Sequence, residues 1–184
     1  MTLYMLIGGV IVVLLVLYIL ITYNDLVKKN NIVKEAFSTM DVYLKKRWDL
    51  IPNLVEVVKG YAKHEKDTLD EITSLRTKSY DNMSESNKIS VNEKLNESIQ
   101  KIMAISESYP ELKANENFMQ LSKELTKVED EIANSRKYYN GAVRILNNKI
   151  LMFPSNIIAK ILGFKQINMF EANAEEKKNV KVEL

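Results

Sequence analysis

The first charged residue in this chain is Asp25. All 26 Lys and Arg and all 24 Asp and Glu residues lie beyond Asn24, so the net charge of +2 and the 27% charged content belong entirely to residues 25–184. Within the uncharged part, residues 3–21 read LYMLIGGVIVVLLVLYILI. At about 1.5 Å of rise per residue, such a run is long enough to cross a hydrocarbon core of about 30 Å as a helix. Tyr4 stands near one end and Tyr18 and Tyr23 near the other, where amphipathic rings favour the membrane–water boundary. No Lys or Arg precedes the run and no small-residue cleavage site comes after it, so it reads as a retained anchor rather than a signal peptide. Lys28, Lys29, Lys34 and Lys45 all lie beyond the span. The positive-inside rule then puts a short N-terminus outside and the C-terminal body in the cytoplasm, in a single-pass protein of the inner or cytoplasmic membrane. Contact with the bilayer is expected through residues 3–21, with Lys28 and Lys29 as candidates for contact with headgroups.

Beyond the anchor, apolar residues recur at spacings of three and four, the signature of amphipathic helices. Leu26, Val33, Phe37, Met40, Leu44, Trp48 and Ile51 form one stripe, continuous with the apolar run, and Pro52 is expected to end or kink it. Val55, Val58, Ala62, Leu69 and Ile72 form a second, and residues 81–88 break the period and read as a loop. Val91, Leu95, Ile102, Ile105 and Tyr109 form a third, ending near Pro110. The fourth runs from Phe118 through Leu125, Ile132, Tyr139 and Leu146 to Phe153 and stops before Pro154. The expected fold is all-α, an N-terminal transmembrane helix followed by an antiparallel bundle of about four long helices. Residues 1–24 form the anchor, 25–170 the bundle, and 171–184 a polar tail expected to be disordered. Asn30 and Arg136 fall on or beside stripes, where they either fix packing register or face a partner. Helices of this length leave self-association into a homo-oligomer open.

The residue types exclude most chemistry. With no Cys there is no disulfide framework, thiolate metal site or Cys nucleophile, and 26 basic against 24 acidic residues is no nucleic-acid footprint. His64-Glu65 begins an H-E-x-x-H motif, but Thr68 stands where the second His is needed, and the chain has no other His. A di-iron bundle needs Glu-x-x-His from two helices, and Tyr61 lies three residues before His64. Nucleotide-binding and hydrolase signatures are missing as well. Neighbouring acids such as Asp70-Glu71 and Glu129-Asp130-Glu131 point in different directions on a helix and read as solvated faces, with ion pairs such as Lys63 to Asp67. The Lys45-Lys46-Arg47 cluster reads as a solvated helix end, with contact to phosphate or lipid headgroups as the alternative. No catalytic residue, cofactor or metal is expected, and the metal- or carboxylate-dependent hydrolase fails on ligand counts. The linker between the third and fourth stripes is the exception: Tyr109, Pro110, Glu111, Lys113 and Asn115 put an aromatic, a rigid proline and hydrogen-bonding groups on an exposed turn, a candidate site for a protein partner. Its other use is helix capping, with Ser108 and Glu111 matching S-x-x-E and Asn115 preceding the next helix.

Three blocks carry a resemblance. Residues 44–56 read LKKRWDLIPNLVE and continue as VVKGYAKHE; residues 107–118 read ESYPELKANENF; and Glu124-Leu-Thr, Glu131-Ile-Ala, Arg136, Tyr139-Asn140 and Phe153-Pro154 come next in order. With the preceding YN-x-LV segment at Tyr23, this pattern resembles the LemA family over most of the chain from Tyr23 to about Phe170. Asn30, Phe37 and Tyr43 stand where the family usually has Arg, Trp and Gln. The resemblance implies a single-pass bacterial membrane protein with a helical-bundle body and no assigned reaction. It also implies partners: relatives are connected with membrane-organelle formation, and genes of the family often lie beside those of membrane zinc metalloproteases. The expected function is that of a membrane-anchored scaffold or adaptor, with an accessory subunit of a membrane protease or quality-control complex as the alternative.

Overall fold

No helix breaker separates the apolar run from the first polar stripe, and the two form a single helix, α1 (Thr2–Tyr61), of 60 residues. The computed structural model describes residues 1–75 and 79–170. A 3-10 turn (Lys63–Glu65) leads to α2 (Lys66–Ser74); a second (Tyr80–Asn82) precedes α3 (Glu85–Ser108); α4 (Pro110–Lys113), α5 (Glu116–Leu151) and α6 (Ser155–Ile161) complete the order. Among the described residues there is no strand. The fold is all-α and bundle-like, and the N-terminal part of α1 is long and apolar enough to cross a membrane, as a single-pass protein requires. The polar tail expected over residues 171–184 lies outside the described residues.

Pro52 neither ends nor bounds α1. Proline has no N–H to offer the Trp48 carbonyl, a cost of about 3 kcal/mol in a helix interior. Leu44, Ile51, Leu54 and Val58, on both sides of the proline, are each at most 1% exposed. Each buried aliphatic chain contributes roughly 1.5–3 kcal/mol, so keeping the stripe continuous outweighs the lost bond. The second stripe, by contrast, is divided: Val55 and Val58 belong to α1, whereas Leu69 and Ile72 belong to α2. The break lets the chain reverse, which buries Leu69 and Ile72 and brings Asp70 to 3.0 Å from Lys59. The four stripes are therefore carried by three long helices and the 9-residue α2, which takes the end of the second stripe in the arm that runs back after α1. The loop expected at 81–88 is shorter, because Ser84 caps α3 by accepting from the Asn87 N–H at 3.3 Å.

The described residues form two compact units, Met1–Ser38 with Arg136–Met169, and Thr39–Ser135 with Phe170. In the second unit, contacts give the direction of each arm. Lys59 pairs with Asp70 and Trp48 with Tyr80, so the chain after α1 runs back along it. Asp41 pairs with Lys88, and Arg47 with Asn92 and Asn96, so α3 runs parallel to α1. Asn115 meets Tyr61 and Glu129 meets Arg47, so α5 descends again. Each arm is antiparallel to the next, as short connections dictate.

In the first unit, residues before Thr22 are exposed, and cover begins at Thr22 and Leu26, which are 2% and 0% exposed. Phe37 packs edge-on against Tyr139 at 5.9 Å and Asp25 pairs with Lys149 at 3.0 Å, so α5 is antiparallel to α1 here too. The short helix α6 ends in a Schellman arrangement, with Gly163 N–H donating to the Lys160 carbonyl and Phe164 N–H to the Ala159 carbonyl. Gly163 adopts φ 76°, which a side chain would oppose. The turn delivers the Phe164 ring to 6.4 Å from Tyr23, and Asn147 then holds Ile167 by two hydrogen bonds of 2.8 and 3.0 Å.

Candidate interaction surface

Arg47, assigned from sequence to a solvated cationic cluster, is 2% exposed. Successive residues on a helix point about 100° apart, so Lys45, Lys46 and Arg47 face three directions. Lys45 pairs with Asp49 at 2.8 Å and the Lys46 ammonium sits 5.4 Å from the Tyr43 ring, while Arg47 points inward. Its Nε donates to Asn92 Oδ1 at 3.1 Å, its Nη2 to the Asn92 carbonyl at 3.0 Å, and its Nη1 to Asn96 Oδ1 at 2.5 Å and to both Glu129 oxygens at 3.0 Å. The Asn92 side chain, 0% exposed, also donates to the Lys88 carbonyl. One signal for this was legible: Arg47 lies three residues after Leu44 and four before Ile51, in the apolar period itself.

A second polar group lies one helical turn and a half away along α1. Asp41 accepts from the Tyr80 hydroxyl at 2.8 Å and from Lys88 at 2.6 Å, and Tyr80 packs on Trp48 at 5.4 Å. Burial pushes the Tyr80 phenol well above the ordinary tyrosine range, and the hydrogen bond to the Asp41 carboxylate adds to it. Both groups are internally compensated. Their chemistry is that of register: each ties α1 to α3 at one setting.

The acids are engaged in similar ways. Asp70 pairs with Lys59 and Glu71 with Lys101. His64 is exposed on the 3-10 turn after α1. Among the described residues, no three His, Asp or Glu side chains converge to hold a metal ion.

One opening of the second unit is a furrow between α1 and α5. One part has a volume of about 550 Å³ and is lined by Tyr43, Lys46, Asp49, Leu50 and Asn53 on α1 and by Glu124, Lys127, Val128 and Glu131 on α5. Asn53 also lines the next part, of about 380 Å³, with Glu56, Val57, Asn117, Gln120 and Leu121. The lining residues on each helix recur at three and four, so each edge is one helical face. Leu50, Val57 and Leu121 are half-buried, with charges of both signs above them.

The 109–115 linker is helical rather than a loop. Pro110–Lys113 make α4, anchored by Leu112, which is 0% exposed. Ser108 is the last residue of α3 and Tyr109 stands at the cap of α4 without a side-chain cap bond, so the S-x-x-E box does not form. Asn115 accepts from the Phe118 N–H at 3.0 Å, capping α5, and donates to the Tyr61 hydroxyl at 2.9 Å. Glu111 and Lys113 are exposed and Tyr109 is half-buried. In the first unit Lys28 is exposed, whereas Lys29 pairs with Asp25, whose other oxygen takes Lys149. The Lys29 hydrogen bond and then Lys149 hold the Asp25 carboxyl below its usual range, against the opposing effect of burial.

Known proteins are similar to this chain in sequence. Protein LemA of Metamycoplasma hominis is 27% identical over 158 residues, which cover 85% of this chain and 72% of that protein. Magnetosome protein MamQ 2 of Paramagnetospirillum magneticum is 34% identical over 71 residues, covering 39% of this chain and 26% of that protein. Magnetosome protein MamQ of Magnetospirillum gryphiswaldense is 31% identical over 70 residues, covering 38% and 26%. The LemA family profile matches residues 36–184, a stretch that takes in the Arg47 pairing, both edges of the furrow and the Asn115 cap. The chain belongs to the LemA family.

Proposed function

We propose that the protein is a membrane-anchored scaffold or adaptor whose bundle binds protein partners at the membrane surface. The furrow between α1 and α5 carries this reading. It is open, its floor is apolar, and its rims bear Lys46 and Lys127 beside Asp49, Glu124 and Glu131. A surface of that kind suits an amphipathic helix from a partner, whose apolar face meets Leu50 and Leu121 while its charges meet the rims. The α4 turn, with exposed Glu111 and Lys113, is proposed as a second contact. The cations beyond the span support a cytoplasmic body.

Photo-crosslinkable residues at Asn53 and Lys127, introduced into the full chain in its native membrane, test the reading. Crosslinks from both positions to the same second protein are the expected result, and a membrane protease among them would make the partner that of an accessory subunit. Crosslinks only to another copy of the chain would replace the adaptor with self-assembly. No crosslink from either position would remove the furrow from the proposal. Alkaline phosphatase fused after Leu184 is expected to be inactive, and an active fusion would reverse the orientation.

A further inference from the structure

The turn from α5 into α6 exposes what a water-facing turn ordinarily buries. Leu151, Met152, Phe153, Ile157, Ile161 and Leu162 are 56%, 63%, 79%, 52%, 77% and 44% exposed. Helix α6 is apolar on both sides, since Ile158 and Ala159 are its buried apolar residues while Ile157 and Ile161 face outward. Outward-facing isoleucines beside an exposed Lys160 suit the boundary between headgroups and acyl chains.

The fold of the first unit places this patch at the boundary of the anchor. Phe37 with Tyr139 and Asp25 with Lys149 set α5 antiparallel to α1, each step along one matched by a step back along the other. Continued past Lys149, that register brings Met152 and Phe153 level with roughly residues 21 to 23. Phe164, just beyond α6, meets Tyr23 at the same level. Charge agrees with position. Residues 132–170 contain no Asp or Glu and six cations, of which Lys149, Lys160 and Lys165 lie in or beside the patch. Apolar side chains within a cationic rim match a leaflet surface with anionic headgroups.

We infer that the segment from Leu151 to Leu162 is a second membrane contact, seated in the headgroup region of the leaflet from which α1 emerges. The inference rests on residues 3–21 spanning the bilayer. It makes α1 a helix braced at its exit: α6 lies along the leaflet, Phe153 and Ile161 enter the acyl boundary, and Lys160 and Lys165 stay with the phosphates.

The absence of Cys allows single nitroxide labels in the full chain. Leu14→Cys, Phe153→Cys, Ile161→Cys and Lys123→Cys variants, each reconstituted in vesicles of three parts phosphatidylcholine to one part phosphatidylglycerol, would be read by electron paramagnetic resonance against oxygen and a water-soluble nickel chelate. All four side chains are exposed, so the fold tolerates the labels. Labels at 14, 153 and 161 are expected to favour oxygen over nickel, with 153 and 161 shallower than 14, and the label at 123 to show the reverse. Label 14 in lipid with 153 and 161 in water would overturn the second contact and leave the anchor standing. Label 14 in water would overturn the spanning helix and the contact with it. Labels at 153 and 161 shielded from both reagents would assign the patch to a second protein chain and overturn the lipid contact.

Discussion

Arg47 Nη1 lies 3.0 Å from each carboxylate oxygen of Glu129, 82 positions away in the chain. The pair is uneven, for Arg47 is 2% exposed at its side chain and Glu129 36%. The guanidinium therefore depends on the amides of Asn92 and Asn96 as much as on the carboxylate, and the cluster sets the register of three helical arms at one level.

Removing the two partners should have unequal effects. Arg47→Ala removes both Arg47 donors from the buried Asn92 Oδ1 and is expected to cost about 3 kcal/mol. Glu129→Gln keeps an oxygen acceptor at a part-solvated site and is expected to cost about 1 kcal/mol. Urea unfolding of the detergent-solubilised protein, followed by helical circular dichroism, checks the order. Equal losses would make the carboxylate the principal partner.

Tyr80 should resist alkali. Its folded-state pKa is raised, so the stability it lends is complete below the unfolded value near 10 and is lost as pH climbs through the folded one. In an absorbance titration, one of the nine tyrosines is expected to ionise only as the protein unfolds. Tyr80→Phe should remove that late step and lose the hydrogen bond to Asp41, costing about 1 kcal/mol near neutrality.

Asp25 gives the opposite pH dependence. Its folded pKa is depressed, so its contribution is present above about 4 and disappears as pH falls through the folded value. Asp25→Asn should lower thermal stability at pH 7 by less than about 1 kcal/mol, since the site is part-exposed, and the deficit should vanish in strong acid. A constant deficit across pH would mean that lost packing, rather than charge, accounts for it.

Two glycines should respond to alanine with opposite signs. At Gly163 a Cβ meets nothing within 4 Å, so the cost is that of φ 76° alone, about 1–2 kcal/mol, and Phe164 should loosen from Tyr23. At Gly141, inside α5 and equally unobstructed, alanine should stabilise by about 0.5–1 kcal/mol. Midpoints of thermal unfolding for the two variants, moving apart about the parent value, are the expected outcome.

Periodicity and the uncharged run made the all-α fold, a helix long and apolar enough to span a membrane, the extent of α5 and the end of α3 legible, because each depends on residues close in sequence. The same local logic failed at Pro52, where the penalty is local but the burial of Leu44 through Val58 is contributed by other arms. It failed at Arg47, because a Lys-Lys-Arg triplet looks uniform until the helix turns one member inward. Helix α6 was missed because seven residues after a proline carry too short a period to recognise.

Of the surface, the sequence showed the exposed turn at Glu111 and Lys113 but not the furrow, whose two edges lie about 70 residues apart in the chain. Composition and spacing by themselves determined that the protein is helical, that it carries an N-terminal stretch long and apolar enough to cross a membrane, and that it has no Cys and no second His for the commoner site chemistries. Only the tertiary structure decided that Arg47 is interior, that Asp25 joins Lys149, and that the segment after α6 meets Tyr23 at the end of the apolar run. Those outcomes turn on which distant side chains meet at 3 to 6 Å, and that is a property of how helices pack, not of any stretch of sequence read alone.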